Sequence, residues 1–164
     1  MFRKVVSKLF LATLLAVLLA PGLAQATDKK IDIYVESGKL KFDNSECPSD
    51  QNDKGCIKTD KGDKNKLKWE FMGADGSNWN LTTLTLLRGN LSDADWACAV
   101  HDFDLDSQTG VSGGFTQKSW GGEVRNENDC DNAYEVHYEL EATPSGGGDS
   151  INSDPVIRNG GGQR

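Results

Sequence analysis

The side chains best suited to chemistry in this sequence form one short run, His101–Asp106, in which an imidazole is followed by three aspartates at alternate positions. This spacing matches the first three ligand positions of a calcium-binding EF-hand loop, and an imidazole beside carboxylates is a donor set for zinc or copper. The EF-hand match then ends, because Ser107 replaces the required glycine and Gly113 the bidentate glutamate. The alternative to a metal site is a solvated acidic face. The candidate ligands are His101, Asp102, Asp104 and Asp106.

Patterns for nucleophilic catalysis are absent from the sequence. No Gly-x-Ser-x-Gly segment occurs, and no serine or threonine has a recognisable base partner. The second histidine, His137, falls on the polar side of a run that we interpret as a strand. Acidic residues are numerous enough for the carboxylate pair of a glycosidase, but their number alone indicates nothing. We therefore expect a protein that is not an enzyme and needs no cofactor. A small secreted hydrolase that depends on calcium or zinc is the alternative.

A long polar segment, Asp43–Lys66, is the best candidate for a binding loop. Segments of this length inside a compact domain are uncommon and are usually functional or mobile. It carries several lysines, whereas the later predicted strands are rich in acids. Trp120 precedes a Gly-Gly pair and is, of the four tryptophans, the one that we expect to be exposed. The candidate binding residues are Trp120, Lys54 and Lys58.

The cysteine count predicts two disulfide bonds. An even number of cysteines in an exported chain indicates disulfides, and four cysteines allow three pairings. We favour Cys47–Cys56, which closes the polar loop, and Cys98–Cys130, which joins two segments that we expect to be neighbours. A zinc site is the weaker interpretation, because no close Cys-x-x-Cys or His-x₃-His pair is present.

Residues 1–26 have the pattern of a secretory signal peptide. Arg3, Lys4 and Lys8 precede the apolar run Leu9–Leu19, which is short for a membrane span, and the segment ends in the small-x-small pattern of a cleavage site. We predict export to the periplasm or to the outside of the cell. Removal of three positive charges changes the formal net charge from −7 to −10 in the remaining 138 residues. Such a charge disfavours nucleic acid and anionic lipid as partners.

Two-residue alternation of apolar and polar side chains predicts the strands. The clearest run is Tyr134–Ala142, in which aromatic and aliphatic side chains alternate with glutamates and a histidine. That pattern is typical of an antiparallel strand with a core on one face and water on the other. Ile31–Val35, Lys39–Phe42 and Leu67–Phe71 repeat it over shorter lengths, and Trp79–Leu87 is apolar on both faces.

The segment Trp96–Leu105 is ambiguous, because its apolar face changes partway along. We interpret it as a strand with a β-bulge near Val100 or His101. A helix that begins at an Asp93 or Asp95 cap is the alternative for its first half.

Two further strands are predicted near glycine or proline. Phe115–Val124 is interpreted as a strand kinked at Gly121-Gly122, and Ile151–Ile157 as a short last strand that Pro155 restricts to a sheet edge. The sequence therefore predicts about seven strands and no convincing helix after residue 26. This count favours an all-β, two-layer antiparallel sandwich of immunoglobulin-like or related Greek-key topology, with a small closed barrel as the alternative.

The predicted organisation is a signal peptide over residues 1–26, one domain over residues 27–158 and a disordered Gly-rich tail over residues 159–164. With no catalytic pattern and a long closed loop, the expected function is binding of a protein, peptide or glycan through the loops of a rigid sandwich. A structural component of the cell envelope is a further alternative. Neither the ligand nor the oligomeric state follows from the sequence.

Overall fold

The computed structural model describes residues 27–43, 47, 54–60, 62 and 64–159. The predicted signal peptide and residues 160–164 of the predicted tail lie outside this part. The strands are β1 (Lys29–Glu36), β2 (Lys39–Phe42), β3 (Ile57–Thr59), β4 (Asn65–Phe71), β5 (Trp79–Leu87), β6 (Thr116–Lys118), β7 (Gly121–Asn126), β8 (Tyr134–Pro144), β9 (Ile151–Ser153) and β10 (Val156–Asn159), and the helices are α1 (Asp75–Asn78) and α2 (Asp93–Asp102). Neither described helix has the length and apolar character needed to cross a bilayer.

The described strands form two separate sheets, so the prediction of a mainly β, two-layer sandwich is confirmed and the closed barrel is not formed. One sheet has the order β2-β1-β4-β7-β6, and the other has the order β3-β10-β8-β5. The prediction that the sandwich is antiparallel throughout is wrong, because both sheets are mixed. Strand β1 pairs with β4 and β3 with β10 in parallel, and the other named strand pairs are antiparallel. The first and last described strands, β1 and β10, each lie inside a sheet rather than at its edge.

The longest strand, β8, confirms the strongest periodicity in the sequence. Its side chains at alternate positions are buried: Tyr134, Val136, Tyr138, Leu140 and Ala142. They meet a core from the other sheet whose largest member is Trp69 of β4, with no exposed surface. The indole Nε1–H of Trp69 donates to the Tyr138 hydroxyl at 2.9 Å, and the two ring centroids are 5.4 Å apart. This contact joins the two sheets at the centre of the sandwich.

The strand predicted over Trp96–Leu105 is wrong, and the bulge predicted within it is wrong too. Helix α2 occupies most of this segment. Its cap is Ser92 rather than either aspartate that we considered, because the Ser92 side chain accepts the Asp95 N–H at 3.1 Å and donates to the Asp95 carboxylate at 2.7 Å. A serine with an acid three residues later is a helix-start pattern. Trp96, Ala99 and Asp102 face inward at helical spacing.

Other differences lie where the chain reverses. The segment expected as one kinked strand is the hairpin β6–β7, whose turn is Ser119-Trp120 rather than the Gly-Gly pair. Gly121 has φ of +149°, and a Cβ there would lie 1.9 Å from the Trp69 carbonyl oxygen, so only glycine lets β7 approach β4. The short helix α1 lies in the connection between β4 and β5.

The end of the chain also differs from expectation. The predicted last strand is divided at Asp154-Pro155 into β9 and β10, which follow one another along the same side of β8. Strand β10 is not at a sheet edge, because β3 pairs with its residues 157–159. The break before β10 contains Pro155. Its carbonyl accepts the Tyr138 N–H at 2.9 Å, and its missing N–H falls in the break. Strand β10 ends at Asn159, one residue beyond the predicted domain boundary.

Candidate functional site

The polar loop that the Cys47–Cys56 disulfide closes, called the clipped loop below, packs against the core at its described residues 54–56, beside a surface groove. The predicted Cys47–Cys56 disulfide is present and both cysteines are buried. Gly55, next to Cys56, accepts the Tyr138 hydroxyl hydrogen at its carbonyl oxygen, at 2.7 Å. Gly55 has φ of +89°, and a Cβ would lie 2.7 Å from Cγ of Phe42, so glycine is required there. These contacts fix the backbone immediately after Lys54.

The groove lies where the β1–β2 hairpin approaches β9. Cross-strand pairing in the hairpin places Tyr34 opposite Lys41 and Glu36 opposite Lys39, on the face away from the core. Asn152 and Ser153 of β9 and Lys54 of the clipped loop also border the groove. The groove has a volume of about 470 Å³ and is lined by Tyr34, Glu36, Lys39, Leu40, Lys41, Phe42, Lys54, Asn152 and Ser153.

The groove is a positively charged feature of an acidic protein. It contains three ammonium groups and one carboxylate, whereas the whole chain has a formal net charge of −7. Within the described residues, Lys39, Lys41 and Lys54 form no ion pair. Other lysines do, since Lys64 contacts Glu127 at 2.8 Å and Lys66 contacts Glu123 at 2.9 Å. Among the residues that the structure describes, the positive charge of the groove is therefore not neutralised by ion pairs.

The two other predicted binding residues lie away from this groove. Trp120 is half-buried in the β6–β7 turn, and its carbonyl accepts the Phe71 N–H at 2.8 Å. Lys58 is exposed on β3, opposite Arg158 of β10. Lys58 and Arg158 border a separate cavity of about 350 Å³ that also includes Tyr134 and Asn159. Of the three predicted binding residues, only Lys54 is therefore part of the groove.

The predicted metal ligands are separated by the end of α2. Asp102 is the last residue of the helix, and its side chain has no exposed surface. Asp104 and Asp106 follow in an exposed turn. The Asp106 carboxylate accepts hydrogen bonds from the Thr109 N–H at 2.8 Å, the Thr109 hydroxyl at 2.9 Å and the Gln108 N–H at 3.0 Å. These bonds hold the pKa of Asp106 below its usual range. The three aspartates therefore do not form the EF-hand-like group suggested by their spacing.

Asp102 is instead part of a buried polar cluster. Its Oδ2 accepts the Tyr134 hydroxyl at 2.7 Å and the Asn159 amide at 3.3 Å, and its Oδ1 accepts the Asp129 N–H at 3.3 Å. Burial, and then the negative charge of Asp102, raise the pKa of the Tyr134 hydroxyl. The phenol therefore stays protonated and acts as a donor. The cluster ties the end of α2 to β8 and β10.

The cluster continues through buried asparagines that sequence reasoning missed. The Asn159 Oδ1 accepts from Thr59 at 2.6 Å and from Asn126 at 3.0 Å, so one side chain links β10, β3 and β7. Asn128 donates to Thr59 at 3.1 Å. Asn65, paired with Asn126 across β4 and β7, is buried, and neither atom of its side-chain amide has a hydrogen-bond partner among the described residues. No pattern in the sequence distinguishes these asparagines from those of surface turns.

Three side chains with metal-binding atoms meet at the edge of this cluster. One ligand atom from each of His101, Asp102 and Asp129 lies within 4.8 Å of the other two. The Nδ1 of His101 is 3.3 Å from the Asp129 Oδ1 and 3.7 Å from the Asp102 Oδ1. Asp129 was missed, although the predicted Cys98–Cys130 disulfide, which the structure contains, brings its segment to the end of α2. His137 lies elsewhere on β8, 3.4 Å from Asp154.

A comparison with protein-family models finds no match for the chain, and a search of curated protein sequences finds none either.

Proposed function

We propose that this chain is an exported, non-enzymatic β-sandwich module that binds a protein, peptide or glycan, and that the groove beside the clipped loop is its binding site. One observation carries the proposal: Lys39, Lys41 and Lys54 line a groove of about 470 Å³ and form no ion pair within the described chain. Because like charges gathered at one place repel one another, a ligand that neutralises them is favoured.

The chemistry of the groove favours an acidic ligand. Ammonium groups attract carboxylates, and the exposed parts of Tyr34 add an aromatic surface against which a sugar ring or a peptide side chain can pack. The acids of the remaining surface repel the same ligand, so binding is directed to the groove. The ligand that fits best carries several carboxylates in an extended chain.

The place of action follows from the disulfides. Two disulfides indicate an oxidising compartment, which is the periplasm or the extracellular space. We propose that residues 1–26 direct export there and are removed. We further propose an immunoglobulin-like or related Greek-key relationship for the sandwich, supported by its two packed sheets and its inter-sheet core.

The test uses the purified oxidised chain and three defined probes: an oligoglutamate peptide, an oligogalacturonate and a neutral oligoglucan. Heteronuclear NMR spectra are recorded during titration with each probe. We expect an acidic probe to shift the amide signals of β2, β9 and Lys54, and the neutral glucan to shift none. The contrast between peptide and galacturonate identifies the class of ligand.

A charge-removal variant locates the site. Lys39→Gln/Lys41→Gln/Lys54→Gln should weaken binding about 10-fold or more, since exposed charges contribute up to about 1 kcal/mol each. Lys58→Gln, which removes an equivalent exposed charge outside the groove, should change affinity by less than about 3-fold. Equal binding by the triple variant and the wild type would remove the groove from consideration.

A second candidate function is the small metal-dependent hydrolase considered from the sequence. The convergence of His101, Asp102 and Asp129 is the observation that favours it. Its catalytic ion would be zinc rather than calcium, because calcium prefers six to eight oxygen ligands. Hydrolysis of an acetyl or phosphate ester that depends on added zinc and is abolished by Asp129→Asn would select this function over the first.

A further inference from the structure

We propose that His101, Asp102 and Asp129 form a binding site for one divalent transition cation of the zinc class at the end of α2. This inference is independent of the lysine groove and of any catalytic activity. Ligand atoms bonded at about 2.0–2.1 Å to a tetrahedral ion are separated by about 3.3 Å. The Nδ1 of His101 is 3.3 Å from the Asp129 Oδ1 and 3.7 Å from the Asp102 Oδ1. One of these separations equals the tetrahedral value and the other exceeds it by about 0.4 Å, and all three ligand atoms lie within 4.8 Å of one another.

Asp102 is oriented for this role by its other hydrogen bonds. A carboxylate has about four acceptor positions. Oδ2 uses two of them, for the Tyr134 hydroxyl and the Asn159 amide, and Oδ1 uses one for the Asp129 N–H. The remaining position of Oδ1 is the one available towards the imidazole, whose Nδ1 at 3.7 Å is beyond hydrogen-bond distance. Hydrogen bonds from neighbouring groups usually orient the carboxylate ligands of a metal, and these three hydrogen bonds orient Asp102 in the same way.

The charge of Asp102 also favours a cation. Its side chain has no exposed surface, and the basic side chain found within 4.0 Å of it in the described chain is His101. A buried carboxylate without a full positive partner is costly. A bound dication would offset this charge.

The Cys98–Cys130 disulfide holds the ligands in place. Cys98 precedes His101 by one helical turn, and Cys130 follows Asp129 directly. The disulfide therefore joins the two segments that carry the ligands, with 5.9 Å between the Cα atoms of the cysteines. Because both segments are tied before an ion arrives, little ordering of the chain opposes binding.

The donor set selects the ion. One imidazole nitrogen and two carboxylate oxygens suit zinc, cobalt or nickel better than calcium or magnesium, which require more oxygen ligands. His101 and Asp129 are 63% and 46% exposed, so solvent can supply the remaining ligand. The proposal therefore commits to a zinc-class ion with three protein ligands and an open position.

The test is a titration of the oxidised full chain, purified without a histidine tag and after chelation, with cobalt followed by absorbance and with zinc followed by calorimetry. We expect one ion per chain and the visible bands of four-coordinate cobalt. His101→Ala and Asp129→Asn should each weaken binding by at least about 100-fold, because the loss of an outer-shell partner alone costs about 10–100-fold. Tyr134→Phe, which removes such a partner, should weaken binding about 10-fold or more.

The matched control is His137→Ala. His137 is 61% exposed and lies 3.4 Å from one aspartate, so it resembles His101 in exposure and in having a carboxylate neighbour but belongs to no group of three ligands among the described residues. The His137→Ala variant should leave the metal affinity and the cobalt spectrum unchanged. Absence of stoichiometric binding by the wild type would overturn the proposal, and so would equal losses in the His101 and His137 variants. If His101→Ala disturbs α2, Asp129→Asn decides, because its exposed side chain can be changed without altering the helix.

Discussion

Tyr138→Phe tests whether the contact between the two sheets also holds the clipped loop. The Tyr138 hydroxyl accepts from Trp69 Nε1 at 2.9 Å and donates to the Gly55 carbonyl at 2.7 Å, and all three residues are buried. The substitution leaves the Trp69 N–H and the Gly55 carbonyl without partners, which costs about 1–3 kcal/mol each. It also removes the desolvation cost of burying the hydroxyl, which is about 1–2 kcal/mol. We expect a net loss of about 2–4 kcal/mol in the free energy of unfolding.

Urea unfolding followed by tryptophan fluorescence measures this loss, and thermal unfolding should show a Tm lower by about 6–16 °C. Tyr34→Phe, at a half-buried position outside this contact, should change stability by less than about 0.5 kcal/mol. The variant should also loosen the backbone at Gly55, which faster amide exchange near Lys54 would reveal. A Tyr138→Phe protein as stable as the wild type would show that this hydroxyl does not connect the sheets to the loop as argued.

Two other predictions concern the disulfide and the pH dependence of stability. Cys98→Ser/Cys130→Ser, measured with a chelator present, should lower the free energy of unfolding by about 3.7 kcal/mol, the loop-closure estimate for a sequence separation of 32; a loss below about 1 kcal/mol would contradict it. Burial raises the pKa of the Tyr138 hydroxyl, whereas the unfolded chain ionises near pH 10. The contribution of the protonated Tyr138 hydroxyl to the free energy of unfolding is therefore complete below pH 10 and decreases above it. Urea midpoints should consequently fall with alkaline pH more steeply in the wild type than in Tyr138→Phe.

Local patterns in the sequence determined the strands and the disulfides. The two-residue alternation of Tyr134–Ala142 predicts β8 because one face of a strand must be buried, whatever its partners are. Strands β1 and β2 follow from the same alternation. The pairing of Cys47 with Cys56 was predicted from their places in one polar loop, and that of Cys98 with Cys130 from segments expected to be neighbours. These features depend on short-range geometry, which the sequence displays directly.

Helix α2 shows where local reasoning went wrong. Its residues also alternate over a short distance, and the change of apolar face was interpreted as a bulge. The Ser92 cap and the three-residue spacing of Trp96, Ala99 and Asp102 were present in the sequence, but a short apolar run does not distinguish helix from strand by periodicity. Packing of Trp96 against the sandwich, with its indole N–H donating to the Ser107 carbonyl at 3.2 Å, decides for the helix.

Only the tertiary structure decided the candidate sites. The lysine groove combines the outer face of β1–β2, the end of the clipped loop and β9, and β9 begins more than a hundred residues after β2 ends. The cluster of His101, Asp102 and Asp129 needs α2 to turn Asp102 inward and the Cys98–Cys130 disulfide to bring Asp129 beside it. The sequence places acids and lysines on elements, but which of them meet depends on how distant segments pack, and no short-range pattern records that.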